Sequence, residues 1–478
     1  MKTTVIFDNL GPYHLARLRA AAQVCDVTAV EIAASSAEYA WQREAEARGR
    51  KSEVGSQAGV SNFTLVTLLE AGTSRETLHR ELGQKLVAAL TAARPDVVFI
   101  PGWSSRAAFA ALHWCVQNKV PVVAMSESTE WDEKRSPLKE WVKRQIVGMC
   151  SAGLVGGTPH RDYMIKLGMP AEQIFPGYDA VDNDYFAQAA NKIRSMIPDI
   201  CPAPHQSQTQ ADLTSGPGSL QAPSSKLQAH PFFLASARFI EKKNLPRLIE
   251  AYALYRQLAQ TSDPRPPTFP SSDPGLPTSD LRPPSSVLRP PSSDPGLPTS
   301  VFRPPTFDPW PLVLLGDGAL RAALSSQLQA LGLVDSVQMP GFVQYPELPE
   351  YYARAGVFIH ASTTEQWGLV VNEAMASGLP VLVSNRCGCA SDLVQSGVNG
   401  FTFDPYNVEE LAQLMLRVGS MEPGARSRMG HASRQIIADW GTDRFASGLK
   451  AAAETARAIG PRSGSFAQRL LLKVVLYK

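Results

Sequence analysis

Short apolar runs alternate with amphipathic stretches of helical length along most of this chain, and that alternation decides the fold class. In the first part Val5–Phe7, Val27–Val30, Phe63–Val66, Asp96–Ile100, Pro121–Met125 and Leu154–Gly156 read as strands. Between them Tyr13–Val24, Ser74–Ala93, Ser104–Asn118 and Leu138–Met149 read as helices. A strand covered on both faces needs no polar side, so uniformly apolar runs separated by helices predict a parallel sheet with helices on both faces. The pattern resumes with strands at Phe232–Ser236, Leu312–Leu315, Val337–Met339, Val357–His360, Pro380–Val383 and Phe401–Phe403. Helices fit Leu245–Ala259, Ala319–Leu331, Leu348–Ala355, Gly368–Ser377 and Val408–Val418. We expect two Rossmann-like, doubly wound parallel-sheet α/β domains in tandem. The length of 478 residues agrees, because one core rarely grows beyond ~250–300 residues.

The expected division is a first domain over 1–185, a flexible linker over 186–230 and a second domain over 231–459. The linker reading rests on a loss of periodicity and on abundant Pro, Ser, Gln and Gly. An insertion over 261–309 interrupts the second domain. From Asp263 to Pro309 it holds fifteen prolines, and Ser271–Ser279 recurs unchanged at Ser292–Ser300. Such repeats cannot form a packed core. We read the segment as looped out between a helix and the next strand; a docking tract for a proline-binding partner is the alternative. The basic, apolar end Gln468–Lys478 reads as a terminal helix over 460–478 docking on the first domain, in preference to a membrane-surface anchor.

Candidate chemistry collects in the second half. Arg238 and Lys243 follow a strand and open a helix, where backbone N–H groups and the helix dipole also favour a diphosphate. Gly316-Asp317-Gly318 follows the next strand, and glycine there lets a ligand approach the backbone. Glu365 follows Val357–His360, and Glu373 lies on the helix after it. On one ideal helix the two would stand ~12 Å apart and ~80° round, so they cannot share a proton. They can hold two ends of an elongated ligand, since a carboxylate accepts well from vicinal hydroxyls. In the first half Gly11, between the first strand and helix, faces the expected cleft. Taken singly, each of these charged residues would pass for a surface group.

The run Glu365-Gln-Trp-Gly-Leu-Val-Val-Asn-Glu373-Ala-Met-Ala-Ser-Gly-Leu-Pro380 resembles the Glu-x7-Glu signature of family 4 retaining glycosyltransferases, the glycosyl transferases group 1. Arg238 with Lys243, Gly316-Asp317-Gly318, and Gly388 with Gly397-Val-Asn-Gly400 extend the similarity from about Phe232 to Val418. The resemblance implies a GT-B fold, two Rossmann-like domains facing a cleft, and metal-independent, retaining transfer of a hexose from a UDP- or GDP-sugar. It implies that Arg238 and Lys243 hold the diphosphate, that Glu373 binds the ribose and that Glu365 contacts the hexose. Gly368, Leu369 and Val370 would supply phosphate donors, and Gly11 would lie near the diphosphate. Where the family has a histidine after the strand Pro121–Met125, this chain has Ser126-Glu127, and Glu127 is the substitute candidate.

The expected partners are a nucleotide-sugar donor and a glycan or lipid-linked acceptor in polysaccharide or glycoconjugate synthesis, with no cofactor, no metal and no obligate protein partner. A net charge of +2 argues against nucleic acid. Met1-Lys-Thr-Thr-Val-Ile-Phe7 reads as a strand with no leader, no run approaches a membrane span, and the scattered cysteines suit a reducing compartment. A cytoplasmic protein, with peripheral contact at the inner membrane face left open, is the expectation. Asp182-Asn-Asp184 imitates a metal motif but reads better as a turn and helix cap. His14 is either a loop residue or an acceptor contact, and His360 reads as packed. Alternative functions are a nucleotide-sugar epimerase or hydrolase on the same fold, or a sugar-binding scaffold without catalysis.

Overall fold

The computed structural model describes residues 1–33, 62–69, 75–196, 231–260 and 308–477. The expected insertion over 261–309, apart from its last two residues, and linker residues 197–230 lie outside the described residues.

The first sheet takes in β1 (Lys2–Phe7), β2 (Asp26–Ala33), β3 (Thr64–Leu69), β4 (Val97–Pro101), β5 (Val122–Ser126), β6 (Ala152–Val155) and β7 (Ile174–Pro176). Its order is β3-β2-β1-β4-β5-β6-β7, and every pairing is parallel. The connecting helices are α1 (Pro12–Ala21), α2 (Arg75–Ala93), α3 (Arg106–Asn118), α4 (Pro137–Val147) and α5 (Thr158–Lys166). Strands β4 and β5 are buried almost throughout, which is why they read as unbroken apolar runs.

Helix α6 (Asn183–Met196) carries the chain across to the second domain. It corrects the expectation of a flexible linker from residue 186. Phe186 and Ala190 are buried on it, and Arg194 donates to the carbonyls of Ala353 and Ser377 at 2.9 and 2.7 Å. Asp182 caps it through the Tyr185 N–H at 2.9 Å.

The second sheet has the order β10-β9-β8-β11-β12-β13, again all parallel. In chain order its elements are β8 (Phe233–Ser236), α7 (Leu245–Gln260), β9 (Leu312–Leu315), α8 (Arg321–Ala330), β10 (Val337–Gly341), α9 (Leu348–Arg354), β11 (Val357–His360), α10 (Leu369–Ala376), β12 (Val381–Ser384), α11 (Ala390–Leu393), β13 (Gly400–Phe403) and α12 (Val408–Gly419). The ends flanking the insertion are tied together: the Trp310 N–H donates to the Tyr255 hydroxyl on α7 at 2.9 Å.

Three more helices close the chain: α13 (Pro423–Ala438), α14 (Thr442–Ile459) and α15 (Phe466–Tyr477). The sequence reading puts 442–459 in the second domain, but α14 covers the first sheet. Its Phe445, Leu449, Ala452 and Ala456 pack with Val5, Phe7 and Val97 of that sheet. Helix α15 joins the same domain, burying Leu472 beside Ile146 and Val147. The outgoing and returning crossings lie side by side, for Val181 bridges Gly441 and the Asn183 side chain donates to Ile437 O at 2.7 Å. No described helix is long and apolar enough to cross a membrane.

Candidate active site

In each sheet the strand order reverses beside the first strand of its domain, between β1 and β4 and between β8 and β11. Loops at the carboxyl ends of strands at such a switch point form the crevice that open α/β sheets use for ligands. The candidate residues sit in loops at the carboxyl ends of the strands or on the helices that follow them.

The loop after β8 is locked to the loop after β11. Asn244 adopts a left-handed backbone (φ +58°), and its buried amide donates to Ala361 O at 3.1 Å and Pro405 O at 2.7 Å. The Thr363 N–H donates to Lys242 O at 2.9 Å. This clamp brings the Lys243 ammonium onto the Glu365 carboxylate as an ion pair. Ser362 Oγ and His360 Nε2 stand 3.3 and 3.4 Å from the same carboxylate oxygen. Burial alone would raise the Glu365 pKa, but Lys243 and His360 outweigh it and hold the group well below the usual carboxylate range. Burial also lowers the His360 pKa, against the pull of Glu365. His360 is packed, as its sequence position suggests, yet it also touches the candidate carboxylate. Arg238 stands partly buried in the loop that carries Lys243.

Glu365 lies on the loop before α10 and not on the helix. Its N–H donates to Arg386 O at 3.2 Å and its carbonyl accepts from Gly388 at 3.1 Å. Gly368 caps α10 with φ +106°, and the first N–H groups of any helix, here from Leu369 and Val370, have no partner within the helix. Glu373, in the middle of α10, is completely buried. Its Oε2 accepts from the Tyr352 hydroxyl at 2.7 Å, and its Oε1 from the Tyr13 hydroxyl of the first domain. Burial pushes its carboxyl up to about 7, against the opposing pull of these two hydrogen bonds.

The glycines of the loop after β9 act differently from the sequence reading. A Cβ on Gly316 (φ +124°) would stand 1.9 Å from Ala237 O, and one on Gly318 2.7 Å from Phe239 O. They admit the backbone on either side of Arg238, and not directly a ligand. Asp317 is 53 % exposed and faces Arg321 at 3.5 Å, apart from the Glu365 cluster.

From the first domain, Gly11 caps α1 and its N–H donates to His14 Nδ1 at 3.2 Å. That makes His14 a capping residue; burial, then Arg17, lowers its pKa to about 3. Glu127 follows β5 and feels the charges of Glu365 and Lys242 from the opposite wall. It also neighbours Asp179, which is 1 % exposed, with Arg17 Nη2 3.8 Å from Asp179 Oδ1. Burial raises both carboxyls; Glu127 raises Asp179 further, whereas Arg17 and the hydrogen bond with Asp179 pull Glu127 down, so the pocket favours keeping a proton on Asp179. His160, on α5, bridges the walls: it accepts from the Gly157 N–H at 3.1 Å and donates from Nε2 to Gln366 O at 2.8 Å.

Sequence reasoning missed Tyr13, Tyr352, Arg17, Asp179 and His160. Tyr13 alone had a usable signal, since it follows Gly11-Pro12 directly in the switch-point loop.

Residues 300–436 match the family described as glycosyl transferases group 1. The match lies within the second domain. The chain is similar to mannosylfructose-phosphate synthase of Agrobacterium fabrum, 33% identical over 117 residues, which is 24% of this chain and 26% of that protein. It is also similar to sulfoquinovosyl transferase SQD2 of Arabidopsis thaliana, 35% identical over 127 residues, 26% of this chain and 24% of that protein. The chain thus spans about a quarter of the length of these relatives. Across both domains it superposes on the crystal structure of Anabaena Alr3699/HepE in complex with UDP, with a TM-score of 0.60 at 16% identity, covering 94% of this chain and 98% of that one. Two parallel-sheet domains facing a crevice, together with this superposition, identify the fold as GT-B.

Proposed function

We propose that this chain is a group 1 retaining glycosyltransferase that moves a hexose from a UDP- or GDP-sugar to a glycan or lipid-linked acceptor. The observation that carries the reading is the Lys243–Glu365 pair at the switch point, one turn of loop and helix from the buried Glu373. In this reading the ammonium of Lys243, with Arg238, takes the charge that grows on the departing diphosphate, and the N–H groups at the start of α10 add to it. Glu365, held ionised, accepts from hexose hydroxyls. Glu373 accepts from the ribose diol, and Gly11 closes over the diphosphate from the other wall. Glu127 stands where the sugar would meet the first domain, in the role the family gives to histidine. Anabaena HepE has been crystallised with UDP-glucose, which supports this class of donor. On the first domain, exposed Leu138, Trp141, Phe466 and Leu470 lie beside Lys139 and Arg469, a surface chemistry that suits a lipid-linked acceptor.

The test is a calorimetric and thermal-shift panel of UDP, GDP, ADP and their sugar conjugates. A ligand at a hundred times its Kd adds ~2.7 kcal/mol of stability. Binding and turnover should fall sharply in Lys243→Ala and Glu373→Ala and persist in EDTA. Unchanged binding and turnover in both variants would sink the assignment.

A further inference from the structure

Tyr13 belongs to the first domain, yet its hydroxyl bonds a carboxylate buried in the second. Its ring enters an aromatic pocket there. Tyr345 meets it edge-on at 5.5 Å and 84°, and Tyr185 stacks on the other side of that cluster, 5.1 Å from Tyr345 and 11° from parallel. Both oxygens of Glu373 are therefore taken, one by Tyr13 and one by Tyr352. The two tyrosines are not equivalent. Tyr352 is completely buried on α9 of the domain that holds Glu373, so it stays with Glu373 in any arrangement of the domains. Tyr13 sits in the first turn of α1 beside Gly11, and it moves with the opposite wall.

In the donor-site reading a ribose diol would bond the Glu373 oxygen that the Tyr13 hydroxyl now holds. We propose that Tyr13 and the ribose of a nucleoside diphosphate compete for Glu373, so that Tyr13 sets donor affinity and its release accompanies donor entry. The inference rests on the donor-site reading above. It makes the cross-domain bond a toll on binding: apparent affinity is reduced by the fraction of molecules in which Tyr13 holds Glu373. Tyr13 acts through Glu373, as a positioning residue.

The experiment uses Tyr13→Phe in the full chain, which removes the hydroxyl and keeps the ring against Tyr345. Titration calorimetry with UDP and GDP should show about tenfold tighter binding of whichever nucleotide the unaltered protein takes, in line with the loss of one charge-assisted hydrogen bond from the competing state. A 2′,3′-dideoxynucleoside diphosphate, which has no diol to offer Glu373, should gain less than about twofold, because it leaves Tyr13 in place. Weaker or unchanged binding of the normal nucleotide in Tyr13→Phe overturns the proposal, as does an equal gain for the dideoxy compound. A separate arm needs no nucleotide. Amide hydrogen exchange over 11–16 and 345–352 should quicken in Tyr13→Phe, and unchanged exchange overturns the cross-domain bond. If neither protein binds any nucleoside diphosphate, the donor-site reading fails and the exchange arm still decides whether Tyr13 holds Glu373.

Discussion

Glu373 carries the most informative titration in the site. Its carboxyl is pushed up to about 7 by burial, from an ordinary value of 4.5. Between these values the folded chain keeps a proton that the unfolded chain has released. The stability this group contributes is therefore complete below about 4.5 and is lost as pH rises through about 7, a deficit of about 3 kcal/mol by pH 8. Glu373→Gln has no such proton to lose. Its melting temperature should lie close to that of the unaltered protein at pH 5 and clearly above it at pH 8; a gap that does not widen with pH contradicts the assignment. Lys243→Ala should lower stability by about 1–3 kcal/mol in urea unfolding, because it leaves the mostly buried Glu365 carboxylate without its ammonium. Adding Glu365→Gln should return part of that loss, since the two changes share one interaction. The positions of Lys243, Glu365 and Glu373 on loop and helix could be read from the sequence, because a spaced motif fixes them locally. Tyr13 could not be read this way. Its partner lies 360 residues away, and contacts at that distance leave no periodicity to read.

At the scale of elements, strands were the most readable feature. Leu312–Leu315 and Val357–His360 are fully buried runs, and their apolar pattern and their bounds coincide. Helices that bury small residues escaped. Helix α13 turns Met429, Gly430, Ser433 and Ile437 inward, and a Cβ on Gly430 would stand 2.1 Å from Gly378 O. Close packing of this kind depends on the lack of a side chain, so a hydrophobic period cannot reveal it. Strand β7 has three residues, too few for any alternation. The loop after β9 makes a sharper prediction. Gly316→Ala combines φ +124° with a backbone oxygen 1.9 Å from the new Cβ. It should cost roughly 2–4 kcal/mol and displace the loop that carries Arg238, weakening nucleotide binding. Gly332→Ala, at φ +64° with nothing within 4 Å, should cost only about 1 kcal/mol and leave binding alone. Urea unfolding and calorimetry on the pair would separate them.

At the scale of the molecule, the chain closes on itself twice. Trp310 is bonded to Tyr255, so the ends around the insertion already meet. Replacing 261–307 by a short Gly-Ser linker should leave the melting temperature within about 2 °C, because loop length enters stability only logarithmically. Truncation after Gly441 should do the opposite. It removes Phe445, Leu449, Ala452 and Ala456 from the face of the first sheet, and the remaining chain should aggregate on size exclusion. The tandem doubly wound plan was visible in the sequence, since alternation is a local pattern. The return of α14 to the first domain was not, because an alanine-rich stripe does not say which sheet it will cover.

The paired crossings have a mechanical consequence. With Val181 bridged to Gly441 and Asn183 bonded to Ile437, the two covalent links between the domains are fastened at one edge, like two knuckles of a door hinge on one pin. Sliding and twisting would tear that joint, whereas swinging about it would not. We expect any opening of the crevice to be a rotation about an axis near residues 181 and 441. Any group on the rim of the crevice travels an arc whose length grows with its distance from that pin.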